Sequence, residues 1–255
     1  MTFEVAGDAY DHFMGLYSRK LAPLLIDFAD VQPGMSVLDV GSGSGSLAGE
    51  LAMRVGARHV SACDPSKALV AACASRVPGA DVRRADAEDL PWRDGVFEAT
   101  LAQLVVNFMR DANAGVTEMR RVTRRGGVVA ACTWDYAGEM QMLRAFWDAA
   151  RAVDPDAPDE ARTMRYISPG DLRDLWLTVG LSAVETGQLV VERTYPDFDD
   201  LWGSLLVAVG PAGHYCSSLD EARRGALRDE LKTRLGSPEN EFTLSARAWV
   251  VRGTS

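Results

Sequence analysis

The run VLDVGSGSGSLAGEL, residues 37–51, constrains this chain more than any other stretch. A short apolar segment carries an aspartate, breaks into three glycines spaced by serines, and continues with helical periodicity. Strand, glycine turn and helix in that order open a parallel α/β sheet. The glycines permit positive φ and let the backbone come close to a ligand. The alternation persists. Strands are predicted over 35–40, 59–64, 80–86, 97–103 and 126–134, and helices over 46–55, over 66–77 with Ser66 as N-cap, and from Asp111 to about Arg124. A helix over 138–153, a loop at DPDAPDE, and a helix over 168–180 that starts on Ser168-Pro169 and stops at Gly180 come next. A strand over 182–195, helices over about 197–209 and 218–234, and a last strand over 241–253 complete the chain. The expected fold is α/β: a Rossmann-like, doubly wound, mostly parallel seven-stranded sheet with an antiparallel edge hairpin and a helical lid insertion. It reads as a single domain over 1–255, with an N-terminal helical cover (about 1–30), a ligand-binding core (about 31–135) and a lid (about 196–240).

Composition narrows the class. No apolar run reaches membrane-spanning length, and the start MTFEVAGDAYDHF lacks the basic and apolar regions of a signal peptide. The four cysteines form no CxxC pair, which predicts buried free thiols in a reducing cytoplasm. A net charge of −9 disfavours sequence-blind binding of nucleic acid. The three histidines lie far apart without metal-ligand spacing, so no metal is expected.

The glycine loop discriminates among ligands. A phosphate-binding P-loop ends in Gly-Lys-Ser/Thr, whereas Gly45 here precedes Ser46 and Leu47. The dinucleotide fingerprint needs glycine at position 46, which is serine. Asp39, two residues before the first glycine, would repel a pyrophosphate at the helix N-terminus and welcome an ammonium group. Asp64 follows the second strand, 23 residues past Gly41, where a dinucleotide fold places its ribose-binding acid. Asp86 follows the third strand and can meet an adenine amino group. A ligand with a nucleoside, a cationic tail and no phosphate satisfies all three acids, and S-adenosylmethionine is such a ligand.

These motifs resemble the class I S-adenosylmethionine-dependent methyltransferases, in particular their small-molecule, ubiquinone/menaquinone-biosynthesis-like, type 11 branch. VLDVGSGSG, ACDPS, ADAEDLPW and FEATLAQLVVNF resemble the first four motifs of that family in order, and VTRRGGVVAACTW its last helix-to-strand turn. Ser42 and Ser44 stand where many members carry cysteine and threonine. The resemblance implies that Gly41, Ser42, Gly43 and Gly45 contact the methionine part of the cofactor and that Asp39 supports its ammonium. It implies further that Asp64 with Pro65 takes the ribose, that Asp86 and the Ala87 amide take the adenine, and that Ala102 and Gln103 border the methionine. Tyr10 and Tyr17, on an N-terminal stretch that covers the cofactor in similar proteins, would offer aromatic faces to the sulfonium. S-adenosylhomocysteine would be the product.

Transfer from a sulfonium needs alignment more than acid–base chemistry. His12, Asn107 and His214 are the candidates for a group near the acceptor, and Trp134, Tyr166 and Trp202 for an apolar wall. The implied activity is methyl transfer to a small apolar or amphipathic acceptor by a cytoplasmic enzyme. The alternatives are a nucleic-acid or protein methyltransferase, a cofactor-binding protein without transfer activity, and a nicotinamide oxidoreductase. The place after the fourth strand reads AQLVVNF and lacks the Asn/Asp-Pro-Pro-aromatic tetrapeptide of amino-methylating DNA enzymes, and the chain has no Pro-Cys pair for cytosine chemistry.

Overall fold

The computed structural model describes residues 14–207 and 210–255. Helix α1 (Leu16–Phe28) precedes two strand–helix units, β1 (Val37–Val40) with α2 (Ser46–Val55) and β2 (Val60–Asp64) with α3 (Lys67–Arg76), and then β3 (Asp81–Arg84). Then follow β4 (Phe97–Gln103), α4 (Ala112–Val122), β5 (Thr123–Trp134), α5 (Gln141–Val153), the one-turn α6 (Glu160–Thr163) and α7 (Pro169–Thr178). The chain closes with β6 (Ser182–Tyr195), α8 (Phe198–Leu205), α9 (Gly210–Ser218), α10 (Glu221–Arg234) and β7 (Phe242–Thr254). The seven strands lie in the order β3-β2-β1-β4-β5-β7-β6, with β7 antiparallel to both its neighbours and the other pairings parallel.

Both sheet faces are covered, so the central strands are apolar without alternation. One core layer packs α1, α2 and α5 through Leu21, Leu51 and Phe146, and the other packs α4 and α7 through Val116 and Trp176. The buried Trp176 indole donates to the Val129 carbonyl at 3.0 Å. Helix starts obey local chemistry. Ser66 Oγ accepts from the Leu69 amide, Asp111 from the Ala114 amide, and Ser168 from the Asp171 amide with Pro169 in the first turn. Gly180, at φ +82°, turns the chain out of α7.

Three departures from the predicted elements have physical causes. Strand β5 begins at Thr123 rather than 126: Thr123 pairs with Phe97, and a register shift then loops out residues before Val128 rejoins Ala99. Helix α9 was hidden by the composition of GPAGHYCSS, whose glycines and proline mimic a loop. Helix α6 starts on the last residue of the predicted DPDAPDE loop and runs past it, because Asp159 caps the turn by accepting from the Ala161 amide at 3.0 Å. The four thiols are buried and unpaired. No helix among the described residues is long and apolar enough to cross a membrane.

Candidate active site

Strands β1 to β4 deliver their carboxyl ends to one edge of the sheet, where ligands of open α/β folds bind. The three loop glycines sit there at φ +72°, +54° and +90° for Gly41, Gly43 and Gly45. Their reasons differ. A Cβ on Gly41 would stand 2.5 Å from Val105 Cγ2, and one on Gly45 would stand 3.0 Å from Cys73 Sγ, so both are packed against protein. A Cβ on Gly43 would meet no atom within 4 Å. That glycine faces open space in a cavity of about 1110 Å³ lined at this end by Gly41, Gly43, Asp64, Asp86, Ala87 and Gln103.

The acids are not equivalent. Asp64 ends β2, is buried, and accepts from the Gly43 amide at 3.0 Å and the Ser66 amide at 2.8 Å. Burial raises its carboxyl pKa, and the two amides oppose that shift. Asp86 is exposed at the rim with Arg110 at 3.5 Å, and the Gln103 amide donates to the Ser18 carbonyl at 3.0 Å. Asp39 shares a strand face with Val37, on the side that α2 covers, and is 1% exposed. Neither of its oxygens has a hydrogen-bond partner among the described residues. Desolvation pushes it up to about 8. The Ala48 amide, outside hydrogen-bond geometry, offsets part of this, and Asp64 adds to it.

Asp39 therefore predicts a pH signature. The folded protein holds a proton to about pH 8 that the unfolded chain releases near 3.8. This group's contribution to stability is complete at low pH and is lost as pH rises through that window. Asp39→Asn, with no proton to lose, should melt higher than wild type at about pH 8, with the difference shrinking toward about pH 4. A gap that does not change with pH in thermal melts would refute a buried, unpaired carboxyl.

The opposite end of the cavity comes from later segments. Phe108, Trp134, Tyr136, Leu143, Glu160 and Pro211 form its wall. Trp134 is where the sequence reading expected it. Tyr136, Leu143, Glu160 and Pro211 carried no local signal. Glu160 is buried and accepts from the Trp147 indole at 2.7 Å, and burial pushes its carboxyl up to about 7.

Several expected site residues lie elsewhere. Tyr17 is fully buried against Trp134, and its hydroxyl lies 3.3 Å from that of Tyr195, so it ties α1 to β6 and presents no face to the cavity. Ala102 is buried in the α4/α7 core layer, with no side-chain surface on the cavity. Asn107 sits behind the wall, where its Nδ2 donates to the Tyr136 hydroxyl at 3.2 Å. His214 is exposed on α9, with Nδ1 bonded to the Gly210 carbonyl at 2.7 Å. Trp202 and Tyr166 do not line the cavity either. Ser42 and Gly45 lie buried within the loop, while Pro65 reaches the cavity. Tyr10 and His12 lie outside the described residues. Of the predicted lid, Gly210, Pro211 and Ala212 at the start of α9 reach the cavity, whereas α10 packs on α5.

Residues 38–131 match the methyltransferase domain family. With the strand order and the glycine loop, this match supports a class I S-adenosylmethionine-dependent methyltransferase. It is 29% identical over 229 residues to the malonyl-[acyl-carrier protein] O-methyltransferase of Dechloromonas aromatica, a match covering 89% of this chain and 79% of that protein. It is 35% identical over 122 residues to an uncharacterized protein of Mycobacterium bovis; the match takes in 46% of this chain and 44% of that relative. A solved structure described as a type II methyltransferase from Anaeromyxobacter dehalogenans has the same fold. Its TM-score is 0.66 over 92% of this chain and 95% of that one, at 22% identity.

Proposed function

We propose that this methyltransferase acts on a small apolar or amphipathic acceptor by in-line displacement. One observation carries the reading. A single cavity of about 1110 Å³ is lined both by the glycine loop with Asp64 and Asp86 and by the apolar side chains of Phe108, Trp134, Tyr136 and Leu143. Single small-molecule sites run to about 300–1,000 Å³, so the cavity has room for an acceptor beside the cofactor.

The residues present suit S-adenosylmethionine, which supplies a methyl group already activated on a cationic sulfur. Asp39 is an orphaned buried carboxyl, and a nearby ammonium would favour its ionised form. The open space at Gly43 admits ligand against backbone, and Asp64, with Pro65 beside it, suits vicinal hydroxyls. Asp86 and Ala87 suit the adenine edge, and Gln103 the methionine part. The malonyl-[acyl-carrier protein] O-methyltransferase relative acts, by its name, on an oxygen of a malonyl group borne on a carrier protein, which supports a small acceptor moiety. The acidic net charge argues against nucleic acid.

The test uses methyl-labelled S-adenosylmethionine with separated small-molecule, protein and nucleic-acid fractions of a cell extract. Label should enter the small-molecule fraction. Label confined to protein or nucleic acid would transfer the assignment to macromolecular acceptors. Binding of the cofactor with no labelling of any fraction would favour a silent cofactor binder.

A further inference from the structure

We propose that Glu160 receives the nucleophile of the acceptor, and that this nucleophile is a hydroxyl or an amine carrying its proton rather than a carboxylate. The inference rests on the small-molecule methyl-transfer reading above.

Glu160 opens a one-turn helix, yet its side chain is only 3% exposed and forms part of the cavity wall. The Trp147 indole holds Oε2 at 2.7 Å, and Oε1 has no hydrogen-bond partner among the described residues. The other charged side chains described on the cavity are Asp64, Lys67, Arg84, Asp86, Glu88 and Arg110. They come from the ends of β2, β3 and β4 and the turns after them, which is the cofactor end. Among the described residues Glu160 alone brings charge to the apolar end.

Its position is fixed from behind. Arg144 on α5 grips the neighbouring Asp159 at 2.9 and 3.1 Å, and Asp159 caps the turn that carries Glu160. The other titratable and charged groups of the surrounding elements are Asp148, paired with Arg144, and Arg151 on α5, Arg162 on α6, His214, Cys216 and Tyr215 on α9, the Tyr215 ring packing on Trp147, and Tyr136 on the shared wall. Burial, with Asp159 adding to it and Trp147 opposing it, pushes the Glu160 carboxyl up to about 7. A proton acceptor titrating near the working pH is suited to general-base work.

An acceptor X–H docked on Oε1 completes the chemistry in balance. The acceptor oxygen or nitrogen forms a bond to the methyl carbon. The methyl–sulfur bond breaks with its electron pair staying on sulfur, and the X–H proton passes to the Glu160 carboxylate. The positive charge of the sulfonium and the negative charge of Glu160 disappear together. A carboxylate acceptor would instead bring a second anion to a buried one.

The test is binding, read by calorimetry on protein saturated with S-adenosylhomocysteine. The probes are 2-naphthol, 2-naphthylmethylamine and 2-naphthoate, which share an aryl body and differ at the polar group. Wild type should bind the alcohol and the amine at least roughly tenfold more tightly than the carboxylate at about pH 8.5. Glu160→Gln keeps an acceptor for Trp147 and should abolish that preference while binding S-adenosylhomocysteine within about twofold of wild type. In wild type alone, the preference for amine over carboxylate should shrink as pH falls through about 7, which keeps the test decisive even if the variant does not fold. The assignment is overturned by an unchanged ranking in the variant, by naphthoate binding most tightly to wild type, by a pH-independent preference, or by no probe binding. Failure of wild type to bind S-adenosylhomocysteine would instead bring down the underlying methyltransferase reading.

Discussion

Asp64→Ala should lower affinity for S-adenosylmethionine by at least two orders of magnitude. The carboxylate stands at the end of β2 on the cavity wall, buried. Two charge-assisted hydrogen bonds to vicinal hydroxyls contribute roughly 1.5–3 kcal/mol each, so their loss corresponds to roughly 100- to 10,000-fold. Part of that loss arises within the protein, because the same carboxylate orders the Gly43 and Ser66 amides at 3.0 and 2.8 Å. Asp64→Asn separates the two contributions: it keeps the shape, weakens both sets of hydrogen bonds, and should fall between wild type and alanine. Titration calorimetry with S-adenosylmethionine, S-adenosylhomocysteine and NAD measures each affinity, and a thermal melt reports any cost to folding. A loss of less than about threefold in the alanine variant would remove Asp64 from the ribose role. NAD binding in place of the adenosyl ligands would revive a nicotinamide reading.

The second large effect separates the loop glycines. Gly41→Ala places a methyl 2.5 Å from Val105 Cγ2 on a residue at φ +72°. Left-handed backbone costs a non-glycine residue roughly 1–2 kcal/mol, and overpacking a closed site costs typically ~1–3 kcal/mol. The sum, about 2–5 kcal/mol, should lower the melting temperature by roughly 4–20 °C in a domain of this size. Gly43→Ala carries the backbone penalty alone, because its Cβ would meet nothing within 4 Å. It should melt within a few degrees of wild type and yet lose roughly tenfold or more in cofactor affinity, since the methyl occupies the space left for ligand. Equal effects of the two substitutions on melting, or unimpaired binding by Gly43→Ala, would refute the division of roles between a packed glycine and a cradling one.

The glycine-loop end of the cavity was legible because its chemistry is local. The glycine turn, Asp64 after β2 and Asp86 after β3 are each fixed by the strand that precedes them, so motif and position coincide. Helix caps such as Ser66, Asp111 and Ser168 were readable for the same reason. The acceptor end was not, since its wall is assembled by tertiary contact. Glu160 sits in a run of acids and prolines that reads as a solvated turn, and only the packing of α5 buries it. Tyr17 was assigned to the cofactor from its place near the N-terminus, but its hydroxyl partner Tyr195 lies 178 residues away in sequence. His214 reads as a candidate within the lid insertion, and the periodicity of α9 turns it to solvent while burying Ala212 and Cys216.

The stacked rings of Tyr195 and Phe242, 5.4 Å apart at an interplanar angle of 17°, mark where the segment holding α8, α9 and α10 leaves and rejoins the sheet. Departure and return are paired residues of one hairpin, so the sheet registers neither the length nor the content of what is spliced between them. Loop closure adds only about 0.6 kcal/mol for each doubling of such a segment. The family match, over 38–131, stops short of this segment, which nevertheless supplies Pro211 to the cavity. On the function proposed above, the wall around the glycine loop belongs to the sheet framework and part of the opposite wall to the spliced segment, so the second can be exchanged without disturbing the first.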